Sequence, residues 1–327
     1  MIESYRALRE HAAIGAVAPR APLGVGGRDR ASFLHGLLTN DVQALTAGRG
    51  CYAAWLTPQG RMITDLHVFE DGEMILLDVP AQLAAATMQR LDQFLFSEDV
   101  QVTDLSATLA PVWIHGPAAA ATVERVLRGA AGLASWPAYQ HAPMHLDETA
   151  ATVARVDQLG VPGFCIYVES ARAGDLHGAL EAAGAVAADP AAVEAARVEA
   201  GYPVFGVDMT DDTIPLEAGI EDRAISFTKG CYVGQEVIIR VLHRGHGRVA
   251  RKLVGLRIGD GDTPSRGSKI LAAGREVGAV TSAAHSPRLG SIAMGYVHRD
   301  FTEPGTHVEI EGPAGRIAAA VSRFPLA

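Results

Sequence analysis

The sequence predicts a multidomain α+β protein whose C-terminal part is a small antiparallel barrel or sandwich. Its 327 residues, of which 48% are hydrophobic, exceed the roughly 250–300 residues at which a single core stops growing. Helical and strand patterns alternate over the first two-thirds of the chain, whereas short apolar runs separated by glycine and proline follow residue 248. We therefore expect two or three domains.

Apolar patterns near the N-terminus predict a first α+β unit. Asp29 is a candidate N-cap for a helix whose apolar residues, between positions 33 and 38, lie on one stripe. Strands are expected at residues 51–56, 62–69 and 73–79, and a helix is expected to begin at Pro80. Residues 24–27 are rich in glycine but lack the spacing of a phosphate-binding loop, so we expect a turn there.

A second α+β unit and a strand-only region follow. The second unit has expected strands at residues 107–115, 151–156 and 164–168, and expected helices at 118–127, 171–183 and 190–200. The strand-only region has expected strands at residues 253–258, 268–271, 276–280, 291–297, 307–310 and 317–321. We place the domain boundary between residues 1–247 and residues 248–327.

Composition argues against several functional classes. No apolar stretch reaches the roughly 18–20 uncharged residues of a membrane helix, and no signal-peptide pattern opens the chain, so we expect a cytoplasmic protein that engages no membrane. The net charge of -9 argues against dedicated nucleic-acid binding, which needs clustered lysine and arginine. Cys51, Cys165 and Cys231 are spaced too irregularly for a disulfide framework or a closed zinc site.

One basic stretch nevertheless lies between Glu236 and Asp260. It contains no acidic residue, and its basic residues are Arg240, Arg244, Arg248, Arg251, Lys252 and Arg257. Both a solvated surface and a site for an anionic ligand fit this pattern. His243 and His246 lie in the same stretch, but two histidines without a third ligand are weak grounds for a metal site, and we predict none.

The run Lys229-Gly230-Cys231-Tyr232-Val233-Gly234-Gln235-Glu236 carries the clearest chemical pattern. Glycine permits close backbone approach and positive φ, so a tight turn is expected around the thiol. If a helix begins at Gln235, its positive N-terminal end, together with Lys229 and Arg240, would favour the thiolate of Cys231. Cys231 is therefore a candidate reactive residue, although a lone cysteine between glycines is also typical of a small packed side chain.

This run resembles the signature of YgfZ-type folate-binding proteins, which are relatives of the glycine-cleavage T-protein. Other family-like pieces occur in the family's order across most of the chain. They are residues 36–41, Pro58-Gln59-Gly60-Arg61, Gly116-Pro117, Arg197-Val198-Glu199-Ala200-Gly201 and Pro215-Leu216-Glu217-Ala218-Gly219. The resemblance implies two ferredoxin-like lobes that form a folate cavity within residues 1–247, followed by a C-terminal antiparallel β-barrel.

The resemblance also implies tetrahydrofolate as the cofactor and points to two carboxylates. In similar proteins an acid on the strand after the Gln-Gly turn and a glutamate in an Arg-x-Glu-x-Gly segment contact the pterin, and these match Asp65 and Glu199. A carboxylate accepts the hydrogen bonds that the amine and ring N–H of a pterin donate. Strand alternation places Ile63, Asp65 and His67 on one face.

Three functional hypotheses follow. The leading one, implied by the resemblance, is a folate-binding protein that supports iron–sulfur cluster assembly or repair in client enzymes, with Cys231 as nucleophile, transient cluster ligand or redox thiol. The second is a folate-dependent aminomethyltransferase or other one-carbon transferase, supported by Asp65 and Glu199. The third is a non-catalytic scaffold that uses its folate cavity or the basic stretch to bind a partner.

Overall fold

The computed structural model describes residues 1–243, 248–259, 261–312 and 315–326, apart from the side chain of His243. The helices are α1 (Ile2–Glu10), α2 (Arg30–Leu37), α3 (Ala84–Asp92), α4 (Ala119–Val126), α5 (Ala173–Ala182), α6 (Pro190–Ala200), α7 (Pro215–Ala218), α8 (Glu221–Ala224) and α9 (Gln235–His243). Within these ranges no helix has the length and apolar character needed to cross a bilayer.

The strands form two sheets, built from the first twelve strands, and a closed barrel, built from the last six. The first twelve are β1 (Ala13–Ile14), β2 (Arg20–Gly26), β3 (Arg49–Leu56), β4 (Met62–Glu70), β5 (Ile75–Pro80), β6 (Gln101–Asp104), β7 (Leu109–His115), β8 (Arg128–Gly129), β9 (His141–Leu146), β10 (Thr149–Arg155), β11 (Gly163–Glu169) and β12 (Val186–Ala187). The last six are β13 (Arg251–Gly259), β14 (Lys269–Ala272), β15 (Arg275–Ser286), β16 (Gly290–His298), β17 (His307–Gly312) and β18 (Gly315–Ser322).

The first lobe is a five-stranded antiparallel sheet in the order β3-β4-β5-β2-β6. One face packs on α2 and α3, through a core that includes Leu34, Trp55 and Leu66. The opposite face carries Asp65 and His67, because side chains alternate along β4. A register shift at Trp55 breaks this alternation, and Ile63 packs on the helix-covered core instead of sharing a face with Asp65.

The second lobe is a seven-stranded sheet in the order β12-β1-β7-β11-β10-β9-β8. Helices α4 and α5 cover its outer face. Its inner face meets the inner face of the first lobe, where the rings of Phe69 and Tyr167 are 6.1 Å apart and those of His67 and Trp113 are also 6.1 Å apart. Polar groups of β4 are therefore enclosed between two sheets.

The C-terminal strands close into an antiparallel barrel in the order β13-β16-β15-β14-β17-β18. Helices α1 and α6 pack against this barrel through a shared apolar cluster. Helix α6 starts as the sequence predicts, since Asp189 Oδ1 accepts a hydrogen bond of 2.8 Å from the Ala191 N–H and Pro190 occupies the first turn. It ends at Gly201, whose φ is 71°.

The predicted fold class is confirmed: two α+β lobes precede a closed antiparallel barrel. Two local predictions are wrong. Residues 24–26 lie in strand β2 instead of a turn, and Pro80 ends strand β5 while α3 begins only at Ala84, after a short 3₁₀ turn. Asp29 flanks α2 as predicted, but its carboxylate accepts from the Asp99 N–H and does not cap the helix.

Candidate functional site

Asp65 lies on the inner face of β4, and its side chain is 2% exposed. The Tyr52 hydroxyl, from the neighbouring strand β3, donates a hydrogen bond of 2.8 Å to Oδ2. Arg20, from β2, approaches the same carboxylate at the longer distances of 3.4 and 3.5 Å. The pKa of Tyr52 is raised by burial and by Asp65, so the hydroxyl is a proton donor to this carboxylate.

Arg20 joins Asp65 to a second buried acid, Asp78 on β5. Its Nε donates to Asp78 Oδ2 at 3.1 Å, and Nη2 donates to the Asp78 carbonyl. Burial alone would lower the pKa of Arg20, but Asp65 and Asp78 raise it overall. The guanidinium therefore holds two carboxylates together. Within the described ranges Asp78 Oδ1 has no hydrogen-bond partner.

His67 extends this polar group toward the second lobe. Its Nδ1 is 3.0 Å from Asp78 Oδ2, and its Nε2 is 3.4 Å from the Tyr202 hydroxyl. The Gln158 amide nitrogen donates to the same hydroxyl at 3.3 Å. Burial lowers the pKa of His67, and the charge of Arg20 lowers it further. We call the set Arg20, Tyr52, Asp65, His67, Asp78, Gln158 and Tyr202 the Asp65 network.

A cavity of about 500 Å³ reaches this network, and Gln158, Tyr202 and Arg223 are among its lining residues. Arg223 lies between the two tyrosines, with Cζ 4.7 Å from the Tyr52 ring centroid and 4.2 Å from that of Tyr202. Lys252, which belongs to the basic stretch, also lines the cavity.

A larger cavity, of about 810 Å³, lies between the barrel and the turn that carries Arg61. The three arginines in its lining already have partners in the protein, and Arg266 donates to the backbone carbonyls of Gly206 and Val207. Arg61 pairs with Asp212, and Arg251 pairs with Glu217 at 3.2 Å. We therefore assign the candidate site to the Asp65 network and its cavity.

Glu199 lies in a different buried cluster, between α1, α6 and the barrel. Its carboxylate accepts from the Tyr5 hydroxyl at 2.7 and 2.9 Å and from Arg9 at 2.6 Å. Ser286 also donates to it, and Arg288 lies at 3.4 Å. These partners belong to neither the Asp65 network nor the lining of the smaller cavity. The structure therefore does not bring the two predicted pterin contacts into one hydrogen-bonded group.

Cys231 is exposed and lies four residues before α9, which begins at Gln235 as predicted. The next residue, Tyr232, is buried in the core beneath β3 and β4. Lys229 points its ammonium into the first lobe, where it donates to the backbone carbonyls of His35, Leu38 and Asn40. Lys229 thus fastens this loop to the C-terminal end of α2.

The glycines of the same run serve close backbone packing. Gly234 has φ of 86°, and a Cβ there would lie 2.5 Å from the Thr57 carbonyl oxygen. Gly60 has φ of 74°, and a Cβ there would lie 2.8 Å from Val237. Two family-like pieces, residues 58–61 and 229–236, therefore pack directly on each other, which requires glycine on both sides.

Metal ligands and the basic stretch are only partly described. Among residues 1–243, 248–259, 261–312 and 315–326, no group of three histidine, cysteine, aspartate or glutamate side chains could hold a metal ion. Arg244 and His246, and the side chain of His243, lie outside the described residues. Arg240 is exposed on α9, whereas Arg251 and Lys252 line different cavities, so these three described members of the stretch do not share one site.

Sequence reasoning missed Arg20, Tyr202, Gln158 and Arg223. Arg20 begins strand β2, for whose first residues no strand was predicted and whose last three residues were expected to form a turn. Tyr202 directly follows the Arg-x-Glu-x-Gly piece. Its partner His67 is 135 residues away in sequence, and no local pattern predicts such a contact.

Comparison with known protein families covers nearly the whole chain. Residues 1–229 match the GCVT N-terminal domain, and residues 251–327 match the glycine cleavage T-protein C-terminal barrel domain. The second match coincides with strands β13 to β18.

Several proteins with similar sequences are named aminomethyltransferase. Aminomethyltransferase from Geobacillus sp. (strain WCH70) is 29% identical over 99% of this chain and 89% of its own length, and aminomethyltransferase from Geobacillus kaustophilus is 30% identical with the same coverage. The crystal structure of glycine cleavage system aminomethyltransferase T from Bartonella henselae superposes with a TM-score of 0.86 at 25% identity, covering 99% of this chain and 89% of that one.

Proposed function

Since this chain belongs to the glycine cleavage T-protein family, we propose that it is a folate-dependent aminomethyltransferase that passes a one-carbon unit to tetrahydrofolate. The observation that carries the proposal is the Asp65 carboxylate, which is buried between the lobes and belongs to the same network as Gln158 and Tyr202, two residues that line the smaller cavity. Full-length similarity to proteins named aminomethyltransferase supports the reaction class.

The leading prediction from sequence, support of iron–sulfur cluster assembly, is corrected by these relatives. Homologues that are about 29% identical over the full chain are named aminomethyltransferase, which favours the second hypothesis over the first. The matches support membership of the aminomethyltransferase superfamily but do not distinguish the YgfZ-type branch within it. The resemblance to YgfZ-type proteins therefore still rests on residues 229–236. A cytoplasmic location stays a prediction.

The residues around the smaller cavity are chemically suited to tetrahydrofolate. A volume of about 500 Å³ falls within the usual range of small-molecule pockets, roughly 300–1,000 Å³. Within the described residues, Gln158 Oε1 has no partner, and the Arg223 guanidinium has ring contacts but no hydrogen bond or ion pair. These groups offer one acceptor and several donors to a polar heterocycle.

Asp65 is the proposed proton acceptor. Tetrahydrofolate, when bound, supplies the amine nucleophile that takes up the one-carbon unit. The Asp65 carboxylate accepts a single hydrogen bond shorter than 3 Å, from Tyr52, so it retains capacity for a proton from that amine. Arg20 keeps the carboxylate in place and stabilises its charge. Arg223 orients the ligand at the cavity's inner end.

Cys231 and Glu199 have weaker support for direct roles. The exposed thiol of Cys231 makes no contact with the Asp65 network in the described part of the chain, and its predicted reactivity stays a prediction. The Glu199 carboxylate already accepts hydrogen bonds from Tyr5, Arg9 and Ser286. A contact with the pterin would require one of these hydrogen bonds to break. We propose that Glu199 acts by fixing α6, the helix that precedes Tyr202.

A tetrahydrofolate titration of the wild type, Asp65→Ala and Cys231→Ser proteins tests the proposal. We expect the wild type and Cys231→Ser to bind with the same Kd and Asp65→Ala to bind at least tenfold more weakly, because a buried hydrogen-bond acceptor is lost. Equal binding by wild type and Asp65→Ala would remove Asp65 from the site. A comparable loss in Cys231→Ser would move the site to residues 229–236.

A further inference from the structure

The direction of the hydrogen bonds in the Asp65 network is fixed at one end by Asp78. Its carboxylate accepts from Arg20 and lies 3.0 Å from His67 Nδ1. An ionised carboxylate can only accept hydrogen bonds, so a neutral imidazole beside it must carry its proton on the ring nitrogen that faces the carboxylate. His67 is buried and its pKa is lowered, so the ring is neutral near pH 7 with Nδ1 protonated and Nε2 free to accept.

This tautomer dictates the two following hydrogen bonds. Since His67 Nε2 is an acceptor, the Tyr202 hydroxyl donates to it across 3.4 Å. The Tyr202 oxygen must then accept its second hydrogen bond, so the group that faces it from Gln158, at 3.3 Å, is the amide nitrogen. The Gln158 oxygen consequently points away from Tyr202, and it has no partner among the described residues.

A buried amide oxygen without a partner is costly unless something else donates to it. Gln158 is 3% exposed and lines the smaller cavity. Leaving such an acceptor unpaired costs about 1–3 kcal/mol. A ligand N–H in the cavity would satisfy it, whereas an acceptor of the ligand would be repelled.

Arg223 supplies the complementary donors on the other side of Tyr202. Its guanidinium lies over the Tyr202 ring at 4.2 Å, while Gln158 contacts the hydroxyl of the same residue. Within the described ranges none of its N–H groups has a hydrogen-bond acceptor. Tyr202 therefore contacts two side chains that line the same cavity. Gln158 has an unpaired acceptor oxygen, and Arg223 has N–H donors without an acceptor among the described residues.

We propose that Gln158 and Arg223 are specificity determinants that select a ligand ring with a lactam edge, in which a carbonyl adjoins a ring N–H. Gln158 Oε1 accepts from the ring N–H, and the Arg223 fork donates to the carbonyl. The Asp78–His67–Tyr202 chain prevents the amide from turning over. This inference rests on the proposed function, since tetrahydrofolate carries such an edge, but it concerns only how the pterin is read.

The test compares tetrahydrofolate with its 4-amino analogue, in which an amino group replaces the ring carbonyl and the adjacent nitrogen loses its hydrogen. Calorimetric titration of the full chain gives a Kd for each ligand and hence a preference ratio. We expect the wild type to prefer tetrahydrofolate by about tenfold or more. Gln158→Leu and Arg223→Met should each bring the ratio close to one.

Arg90→Gln, an exposed substitution on α3, is the matched control and should leave the ratio unchanged. Thermal unfolding verifies that each variant is folded, and because Gln158 and Arg223 lie on different segments, either variant alone decides the question. Folate binding and transfer with an unaltered ratio in the folded variants would overturn this inference and leave the proposed function standing. Absence of tetrahydrofolate binding by the wild type would overturn both.

Discussion

Two buried carboxylates, Asp65 and Glu199, have similar surroundings but different numbers of short hydrogen bonds. Each lies beside a tyrosine hydroxyl and an arginine. Glu199 accepts hydrogen bonds from Tyr5 at 2.7 Å and from Arg9 at 2.6 Å. Ser286 also donates to its carboxylate, and Arg288 lies 3.4 Å away. Asp65 has Tyr52 at 2.8 Å, but its arginine is 3.4 Å away.

The difference indicates which carboxylate is available to a ligand. Glu199 joins α1, α6 and the barrel, so its hydrogen bonds stabilise the arrangement of three chain segments. Asp65 belongs to a network in which Asp78 Oδ1 and Gln158 Oε1 have no partner among the described residues. Burial alone therefore does not identify a functional carboxylate, and the number of short hydrogen bonds that the carboxylate already accepts has to be considered too.

The largest expected effect comes from Asp65→Asn. An amide of the same shape keeps the packing but cannot take up a proton, so we expect kcat for aminomethyl transfer to fall by about 10²–10⁴-fold. Because Arg20 loses one of its two carboxylate partners, some loss of stability is expected as well, so kcat is measured at a temperature where the variant is folded. Formation of methylene-tetrahydrofolate measures the rate, and Asp92→Asn on the exposed end of α3 is the control. A kcat within twofold of wild type would end the assignment of Asp65 as proton acceptor.

Glu199→Gln should affect stability instead of ligand binding. Removing the charge leaves Arg9 and Arg288 without a counterion, and because both are partly exposed we expect the free energy of unfolding to fall by about 2–3 kcal/mol, below the usual cost of breaking a fully buried pair. Urea unfolding and a tetrahydrofolate titration separate the two effects. Weaker folate binding at unchanged stability would support the direct pterin contact that the sequence predicts.

The Asp65 network should also make stability depend on pH. The pKa of His67 is lowered in the folded state, so the unfolded chain binds the proton more readily, and this group's contribution to stability is lost as pH falls below about 6.5. The slope from one such group is at most about 1.4 kcal/mol per pH unit. Urea unfolding between pH 7.5 and 5.5 should show a flatter dependence for His67→Gln than for the wild type. Parallel curves for His67→Gln and wild type would contradict this account.

The smallest effect is expected from Cys231→Ser. Because the thiol is exposed and lies outside the Asp65 network, aminomethyl transfer should remain within twofold of wild type. Lys229→Met, two residues earlier, provides a contrast, since it leaves three backbone carbonyls of the α2 region without their donor and should lower stability. A tenfold or greater loss of transfer in Cys231→Ser would restore the thiol as a reactive group.

The sequence predicts elements better than contacts. All six barrel strands and α6 follow from apolar periodicity and from capping residues, because these signals act over a few neighbouring positions. Asp65 is found through a motif. Arg20, Gln158 and Tyr202 are not, because their roles arise only when β2, the loop after β10 and the segment after α6 meet at the inner face of the first lobe. Glycines in β2 also obscure its strand character.

The central claim is transfer chemistry at the Asp65 network, and product formation by the wild-type protein tests it most directly. Purified full-length chain is mixed with tetrahydrofolate and an aminomethyl donor, and methylene-tetrahydrofolate and ammonia are followed over time. We predict that both products accumulate in equal amounts and only when tetrahydrofolate is present. Tight binding of tetrahydrofolate without either product would contradict the transferase assignment and favour a folate-binding scaffold.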